Sequence, residues 1–431
     1  MSVAASDYRL DGIYKQRQDD FFMQRVKLPA GVISSTQARA VAEVSARFGQ
    51  GTIHLTSRGS IEIHWLKEAD LPQIKRELAK AGLTSRGACG GAVRGITCGS
   101  QGALGFPVLE SLARRLQRHF AGNPRFERLP KKFKIGIEAD VVGGKHLIQD
   151  VGLVLAGLDG GNAVYDVWIA GGLGREPRQG FLLIEQVAEE RIIPIIEAIL
   201  TVYATHAPPP KRLKYLSSEF GEEKLRQLIE AEAAFNEIVP EVSGMAENIV
   251  TDSGGRQRLE LPVFAGKLTA AQLKLVADAA DRIADGIVMV TVDQDLALLL
   301  APGVAADAEL LNLRQSVGLP FDTAKPVVRV CPGSHECRMG LVATREVAAE
   351  ILPHISTRPQ AKTWAISGCH NSCSQPQLAD VGIVTARLAA DADGEKSPRF
   401  DVYRRSGSGF GEKQHGGLTR QELIDLVQHV A

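Results

Sequence analysis

This chain is written twice. The segment Leu28-Pro-Ala-Gly-Val-Ile-Ser-Ser-Thr-Gln-Ala returns as Val263-Phe-Ala-Gly-Lys-Leu-Thr-Ala-Ala-Gln-Leu, 235 positions later, with Gly31 matching Gly266 and Gln37 matching Gln272. The register then holds through Val41 and Val276, Ala42 and Ala277, Gly51 and Gly286, Thr56 and Thr291, and Ile61 and Ile63 against Leu296 and Leu298. Near the end of each half, Tyr165-Asp-Val167 with Gly172 and Gly174 answers Phe400-Asp-Val402 with Gly407 and Gly409, again 235 apart. Asp150-Val-Gly-Leu-Val resembles Asp380-Val-Gly-Ile-Val at an offset of 230, so a small length change intervenes. Repeats of solenoids run to a few tens of residues, so a period this long means two copies of a domain.

Each copy opens with an expected strand, near residues 22–28 or 258–263, followed by a helix with Ser34 or Thr269 as N-cap and apolar residues at helical spacing through Val41, Val44 and Phe48. A strand pair follows, Thr52 to Leu55 and the alternating Ile61-Glu-Ile-His-Trp65. The pattern predicts an α+β, internally duplicated fold whose halves pair about a pseudo-two-fold axis. The expected division runs at 1–75, 76–240, 241–310 and 311–431, with Ala207-Pro-Pro-Pro210 and a charged helix over about 218–239 linking the halves.

Lys+Arg and Asp+Glu balance at 50 each over 431 residues, so no global charge draws the protein to nucleic acid or membrane and any cationic site must be local. The start has no apolar core of a signal peptide, and no apolar run is long enough to span a bilayer. The expectation is a cytoplasmic protein, a setting that also suits six cysteines without a disulfide framework.

Four of those six cysteines fall within 43 residues as Cys331-x5-Cys337 and Cys369-x3-Cys373. Four thiolates brought together are the ligand set of a [4Fe-4S] cluster. A zinc site of four thiolates is the competing reading, although structural zinc ligands usually come in knuckles with two to four residues between cysteines, which a five-residue gap fits poorly. Cys89 and Cys98 belong to neither pair and read as ordinary buried thiols. His335 and His370 lie inside the cysteine loops, where hydrogen bonding is the commoner use of histidine.

The copies differ informatively. By the offset of 235, Arg25 maps onto Glu260 and Arg58 onto Asp293, so one copy carries bases where the other carries acids. Subtracting 235 from the cysteine positions gives 96, 102, 134 and 138, close to Arg94 and the run Lys131-Lys-Phe-Lys134. A pseudo-dyad would then relate the thiols of one half to the cations of the other. A lysine or arginine is by default a solvated surface charge. Lys132 and Lys134, however, point to one face of an extended strand, where two ammonium groups repel unless an anion sits between them.

With these features assembled, the chain resembles the sirohaem sulfite and nitrite reductases over essentially its full length. The resemblance rests on Arg25-Val-Lys-Leu-Pro-Ala-Gly-Val-Ile, Leu55-Thr-Ser-Arg58, Val93-Arg94, Leu129-Pro-Lys-Lys-Phe-Lys134, Cys331-Pro-Gly-Ser-His-Glu-Cys337 and Ser367-Gly-Cys-His-Asn-Ser-Cys-Ser-Gln-Pro376. It implies two ferredoxin-like half-domains plus two α/β cofactor-binding domains. It further implies a [4Fe-4S] cluster on Cys331, Cys337, Cys369 and Cys373, with Cys373 bridging to the iron of sirohaem. Arg25, Arg94, Lys132 and Lys134 would contact the substrate anion. Thr56, Arg58 and His64 would lie along the macrocycle and its carboxylates, with Asn371 beside the cluster loop. The implied reaction is six-electron reduction of sulfite to sulfide, with nitrite to ammonia as a second activity. Its lysines and arginines would neutralise the oxyanion and pass protons.

The sequence departs from the family where Glu62 stands for a frequent Gln, His54 for Arg, and Gly95 for Asn, and the first two weaken the cationic lining. Sulfite enzymes tend to carry Lys-x-Lys where nitrite enzymes carry Lys-x-Asn, so Lys134 points to sulfite. The alternatives are a nitrite reductase proper, a precorrin-3B synthase-like tetrapyrrole monooxygenase, and a non-catalytic iron-sulfur or zinc-stapled protein. Gly171-Gly-Leu-Gly174 lacks the spacing of a dinucleotide fingerprint. Electrons are therefore expected from an external ferredoxin or flavoprotein.

Overall fold

The computed structural model describes residues 5–101, 106–159, 162–236, 256–304, 326–355, 363–390 and 394–430, together with Leu311, Leu313 and Val317. In the first copy the strands are β1 (Ile13–Lys15), β2 (Phe21–Val26), β3 (Val32–Ser34), β4 (Thr52–Leu55) and β5 (Ile61–Lys67), then β6 (Thr97–Cys98), β7 (Ile135–Glu138), β8 (Val151–Asp159), β9 (Asn162–Ile169) and β10 (Phe181–Ala188). The second copy supplies β11 (Arg258–Leu261), β12 (Lys267–Thr269), β13 (Ile287–Val290) and β14 (Leu296–Leu299), then β15 (Val328–Val330), β16 (Trp364–Ser367), β17 (Val381–Ala390), β18 (Lys396–Arg404) and β19 (Glu412–Leu418).

These strands form four sheets, ordered β1-β2-β5-β4-β12, β11-β14-β13-β3, β10-β9-β8-β7-β6 and β15-β16-β17-β18-β19. The first two exchange a strand. β12 of the second copy pairs with β4, setting Lys267 opposite His54, while β3 of the first copy pairs with β13, setting Val32 opposite Met289. The two exchanges are related by the same offset of 235 and so obey the pseudo-dyad. Each exchanged strand leads into a helix, Ser35–Phe48 or Ala270–Ile283, and both helices start with a capping box, Ser34 with Gln37 and Thr269 with Gln272. Such a box satisfies two otherwise orphaned backbone donors. Arg39 of the first helix donates through Nε to Asp278 Oδ1 of the second at 2.8 Å and also pairs with Asp281. One apolar core, containing Val41, Val44, Ile53, Ile63, Leu273, Val276 and Leu298, runs continuously through both halves.

The two larger sheets share one plan: three parallel strands followed by two antiparallel ones, β6-β7-β8 then β9-β10, and β15-β16-β17 then β18-β19. Matching the strands corrects the simple offset. β16 follows β7 by 229 positions and β18 ends 235 after β9, so the length change lies in the loops. Cys369 then corresponds to Asp140 and not to Lys134, whose counterpart is Thr363. The thiols and cations are therefore not symmetry mates. The cysteine loops leave the C-terminal ends of β15 and β16, whereas Arg94 and Lys134 precede the N-terminal ends of β6 and β7.

The expected linking helix also differs: it is broken into Leu213–Phe220 and Glu222–Glu230 at Gly221, whose φ of 79° is left-handed. Its expected end at 239, and the divisions at 240 and 310, lie outside the described residues. The helix Leu71–Lys80 runs across residue 75, the first expected division.

Candidate active site

The strand register builds the site. Across the first sheet, Arg25 on β2 faces Glu62 on β5, Glu62 faces His54 on β4, and His54 faces Lys267 on β12. This is a row of four titratable side chains on one face, because alternate residues of a strand share a face. The opposite face, with Val26, Ile53, Ile61 and Ile63, is core. Arg25 Nε donates to Glu62 Oε1 at 3.0 Å, Nη2 contacts the same oxygen, and Nη1 reaches Ala88 O at 3.2 Å. Burial opposes the Arg25 charge, but the Glu62 carboxylate outweighs it and holds the guanidinium protonated. Likewise, burial opposes ionisation of Glu62, yet Arg25 pulls its pKa below the usual carboxylate range. His64 Nδ1 lies 3.2 Å from Gln16 Oε1, and its Nε2 stands 3.4 Å from Glu62 Oε2 without a hydrogen bond. Burial drives the pKa of His54 down to about 3, so it is neutral.

The turn between β4 and β5 faces the cysteine loops. Thr56 Oγ1 accepts from the backbone N–H groups of Arg58 and Ser60 at 3.3 and 3.1 Å and so shapes the turn. Ser57 Oγ donates to Cys373 O at 2.6 Å, and Gln375 Nε2 donates back to Ser57 O at 2.9 Å, clamping the second copy's loop to the first copy. Arg58 reaches Gln149 Oε1 at 2.8 Å and Gly95 O at 2.9 Å, so its guanidinium stitches the two domains of the first copy. Burial, then Arg94 and Arg212, lower its pKa to about 9.

The four thiols are mutually near. Cys331 is acted on by Cys373 and Cys337, Cys337 by Cys373, and Cys369 by Cys373 and Cys337; none is in a disulfide. Burial and then the neighbouring thiolate push Cys331 up to about 12, and burial foremost pushes Cys369 up to about 11 although the Asn371 backbone N–H opposes this. Cys337 is exposed yet also raised by desolvation, the combination expected of a recessed floor. Free thiols crowded in this way resist ionisation, whereas coordination to iron removes their protons. Among the described residues, no three His, Cys, Asp or Glu side chains lie close enough to share one metal ion. Ser367 Oγ and Ser374 Oγ, 2.7 Å apart, close the base of the second cysteine loop, and Gly368 N–H donates to Cys331 Sγ at 3.2 Å. The first copy supports the other loop, with Gln18 Nε2 donating to His335 O at 2.6 Å.

Opposite the thiols stand the cations. Lys132 and Lys134 both lie within electrostatic reach of Cys373 across the seam. Phe133 between them is fully buried, which turns both lysines to the other face as alternation requires. Among the described residues neither ammonium has a carboxylate or hydrogen-bond partner. Burial, then Arg212, lowers Lys132 to about 8, and burial with Arg58 and Lys132 lowers Lys134 well below its ordinary value. Arg94 donates through Nη2 to Gly90 O at 2.9 Å, but its buried Nη1 has no partner. A buried guanidinium N–H without a partner and two ammonium groups without partners have the chemistry to receive an anion.

Sequence reasoning singled out these residues but not the buried pair behind them. Arg212 Nη2 donates to Asp150 Oδ2 at 2.7 Å in a buried pair, and that oxygen also accepts the Lys134 backbone N–H at 2.8 Å. The shared Asp-Val-Gly repeat flagged Asp150 without revealing this partner. Asn371 is exposed, and Cys89 and Cys98 are buried thiols, as expected. No described helix is long and apolar enough to cross a membrane.

Two family models match parts of this chain. Residues 14–81 match the nitrite/sulfite reductase ferredoxin-like half domain, and residues 109–236 match the nitrite and sulphite reductase 4Fe-4S domain. The second match falls on the copy without the four cysteines, whose sheet shares its plan with the copy that has them. "Sulfite reductase [ferredoxin] 2" of Mycolicibacterium paratuberculosis is 28% identical, covering 95% of this chain and 79% of the relative. The "assimilatory ferredoxin-dependent nitrite reductase" of Haloferax mediterranei is 29% identical over 94% and 77%, and the "ferredoxin–nitrite reductase" of Synechococcus elongatus 28% over 95% and 85%. In fold, the chain superposes on the Mycobacterium tuberculosis NirA protein with a TM-score of 0.84 at 24% identity, covering 100% of this chain and 87% of that one. The chain belongs to the nitrite and sulfite reductase family, oxidoreductases that carry a [4Fe-4S] cluster and sirohaem.

Proposed function

We propose that this enzyme reduces sulfite to sulfide with six electrons, reduces nitrite to ammonia as a second activity, and takes its electrons from a separate ferredoxin. The observation that carries this reading is the unpaired Lys132 and Lys134 within electrostatic reach of Cys373, together with the buried, unpaired Nη1 of Arg94. Cys331, Cys337, Cys369 and Cys373 would hold the cluster, with Cys373 shared with sirohaem. When bound, the two groups supply single electrons and an iron centre for the substrate.

The chain's own residues supply charge, orientation and protons. Arg94, Lys132 and Lys134 bind the oxyanion, with Arg25 at the edge of the same pocket. At a pKa of about 8, Lys132 holds a proton at Nζ that it can release to a departing oxygen near neutral pH. Thr56, Arg58, His64 and Asn371 would border the macrocycle, with Arg58 fixing the seam through Gln149 and Gly95. All six cysteines are free, which suits a reducing cytoplasmic setting.

Lys134 supports sulfite over nitrite, because an anion of up to two charges gains more from a second ammonium. Steady-state kinetics with both anions test this. Lys134→Asn should lower kcat/KM for sulfite by more than about tenfold and for nitrite by less. A parent enzyme that strongly favours nitrite overturns the assignment.

A further inference from the structure

The proposed anion pocket carries one positive charge fewer than its sequence suggests. Arg25 has every guanidinium nitrogen engaged: Nε and Nη2 on Glu62 Oε1, and Nη1 on Ala88 O. Its side chain is 29% exposed, whereas that of Glu62 is 6% exposed, so the carboxylate lies behind the guanidinium and cannot meet a substrate itself. Glu62 therefore acts through Arg25.

The neighbours do not restore the charge. His64 Nε2 stands 3.4 Å from the other Glu62 oxygen, and His54, across the strand, is buried. Nor does the fold require a carboxylate here. At the equivalent place of the second copy, Ala297 sits between Glu260 and Met289 in the same register.

We propose that Glu62 is a specificity-determining positioning residue: by holding and neutralising Arg25, it restrains the pocket's preference for sulfite and keeps it usable by a singly charged anion. The inference rests on the functional reading above. A charge acts on a dianion twice as strongly as on a monoanion, so changing the pocket by one charge moves the ratio of the two affinities as well as their sum.

The test is equilibrium binding to the anaerobically purified holoenzyme, read from the absorption change of its pigment on titration with sulfite and with nitrite. Glu62→Gln keeps the side chain's size, removes its charge and should tighten sulfite about tenfold more than nitrite. Glu62→Asp, which retracts the carboxylate by one methylene, should fall between parent and Glu62→Gln and carries the test alone if the Gln variant does not fold. A purely structural role would lower the unfolding temperature and leave the ratio of the two Kd values unchanged. An unchanged ratio in the variants that fold, or a shift toward nitrite, overturns the inference alone. A parent that binds neither anion overturns the functional reading and the inference with it.

Discussion

The same four positions of the two exchanged sheets have opposite fates. In the first copy, Arg25, Glu62, His54 and Lys267 stand in register across β2, β5, β4 and β12. In the second copy, Glu260, Ala297, Met289 and Val32 stand in that register across β11, β14, β13 and β3. Ala297, Met289 and Val32 are buried in a core with Val93, Ile96 and Cys98 of the first copy, while Glu260 pairs outside with Arg258. The backbone is one design used twice, and the side chains decide which copy carries a row of titratable groups and which seals itself with apolar contacts. The turns repeat the lesson. Thr56 and Thr291 make the same pair of hydrogen bonds, but the turns present Arg58 and Asp293 respectively. A duplicated molecule thus has a single seam where thiols face cations.

The largest effect should come from breaking that seam on its sulfur side. Cys373→Ala should abolish reduction of sulfite and nitrite by at least about a thousandfold, as removal of a metal ligand does, with turnover measured against a chemically reduced donor. A variant that retains activity close to the parent would show that Cys373 has no part in the site. Next comes an attempt to convert the closed row into the open one. Ala297→Glu should destabilise the protein by more than about 3 kcal/mol, since it places a charge in an apolar core without a partner. Denaturant unfolding measures this, and a loss below about 1 kcal/mol would mean that the second row is more accessible than its packing shows.

The smallest effect is the acid sensitivity of the open row. His54 is neutral in the fold at a pKa of about 3, while an unfolded histidine protonates near 6.5. The unfolded state therefore binds more protons below pH 6.5, so stability falls as pH drops between about 6.5 and 3. Glu62, whose folded pKa is depressed, adds a loss below about pH 4. For His54 alone the slope is about 1 kcal/mol per pH unit, so unfolding midpoints should decline less between pH 7 and 5 in His54→Gln than in the parent. Parallel curves would remove His54 from the account.

Much of the fold was legible in the sequence, because a repeat this long forces two like sheets, and the spacing of the four cysteines drew attention to the two loops that meet the first copy. The limits are equally specific. Val32–Ser34 is too short to announce itself, and its partner β13 lies in the other half of the chain, so the strand exchange is invisible to local pattern. One fixed offset misaligned Cys369 with Lys134, since loops change length while strands keep register. Arg25 carried the right chemistry for an anion, yet only the cross-strand register reveals that Glu62 holds it. The Asp150 and Arg212 pair joins residues 62 apart in sequence without any local signal.

The most direct test of a single seam in a doubled molecule is the stoichiometry of tetrapyrrole, iron and labile sulfide in anaerobically purified protein. One cluster and one sirohaem give about one extractable tetrapyrrole, five irons and four sulfides per chain. Two tetrapyrroles per chain, or zinc with no tetrapyrrole, would contradict the account.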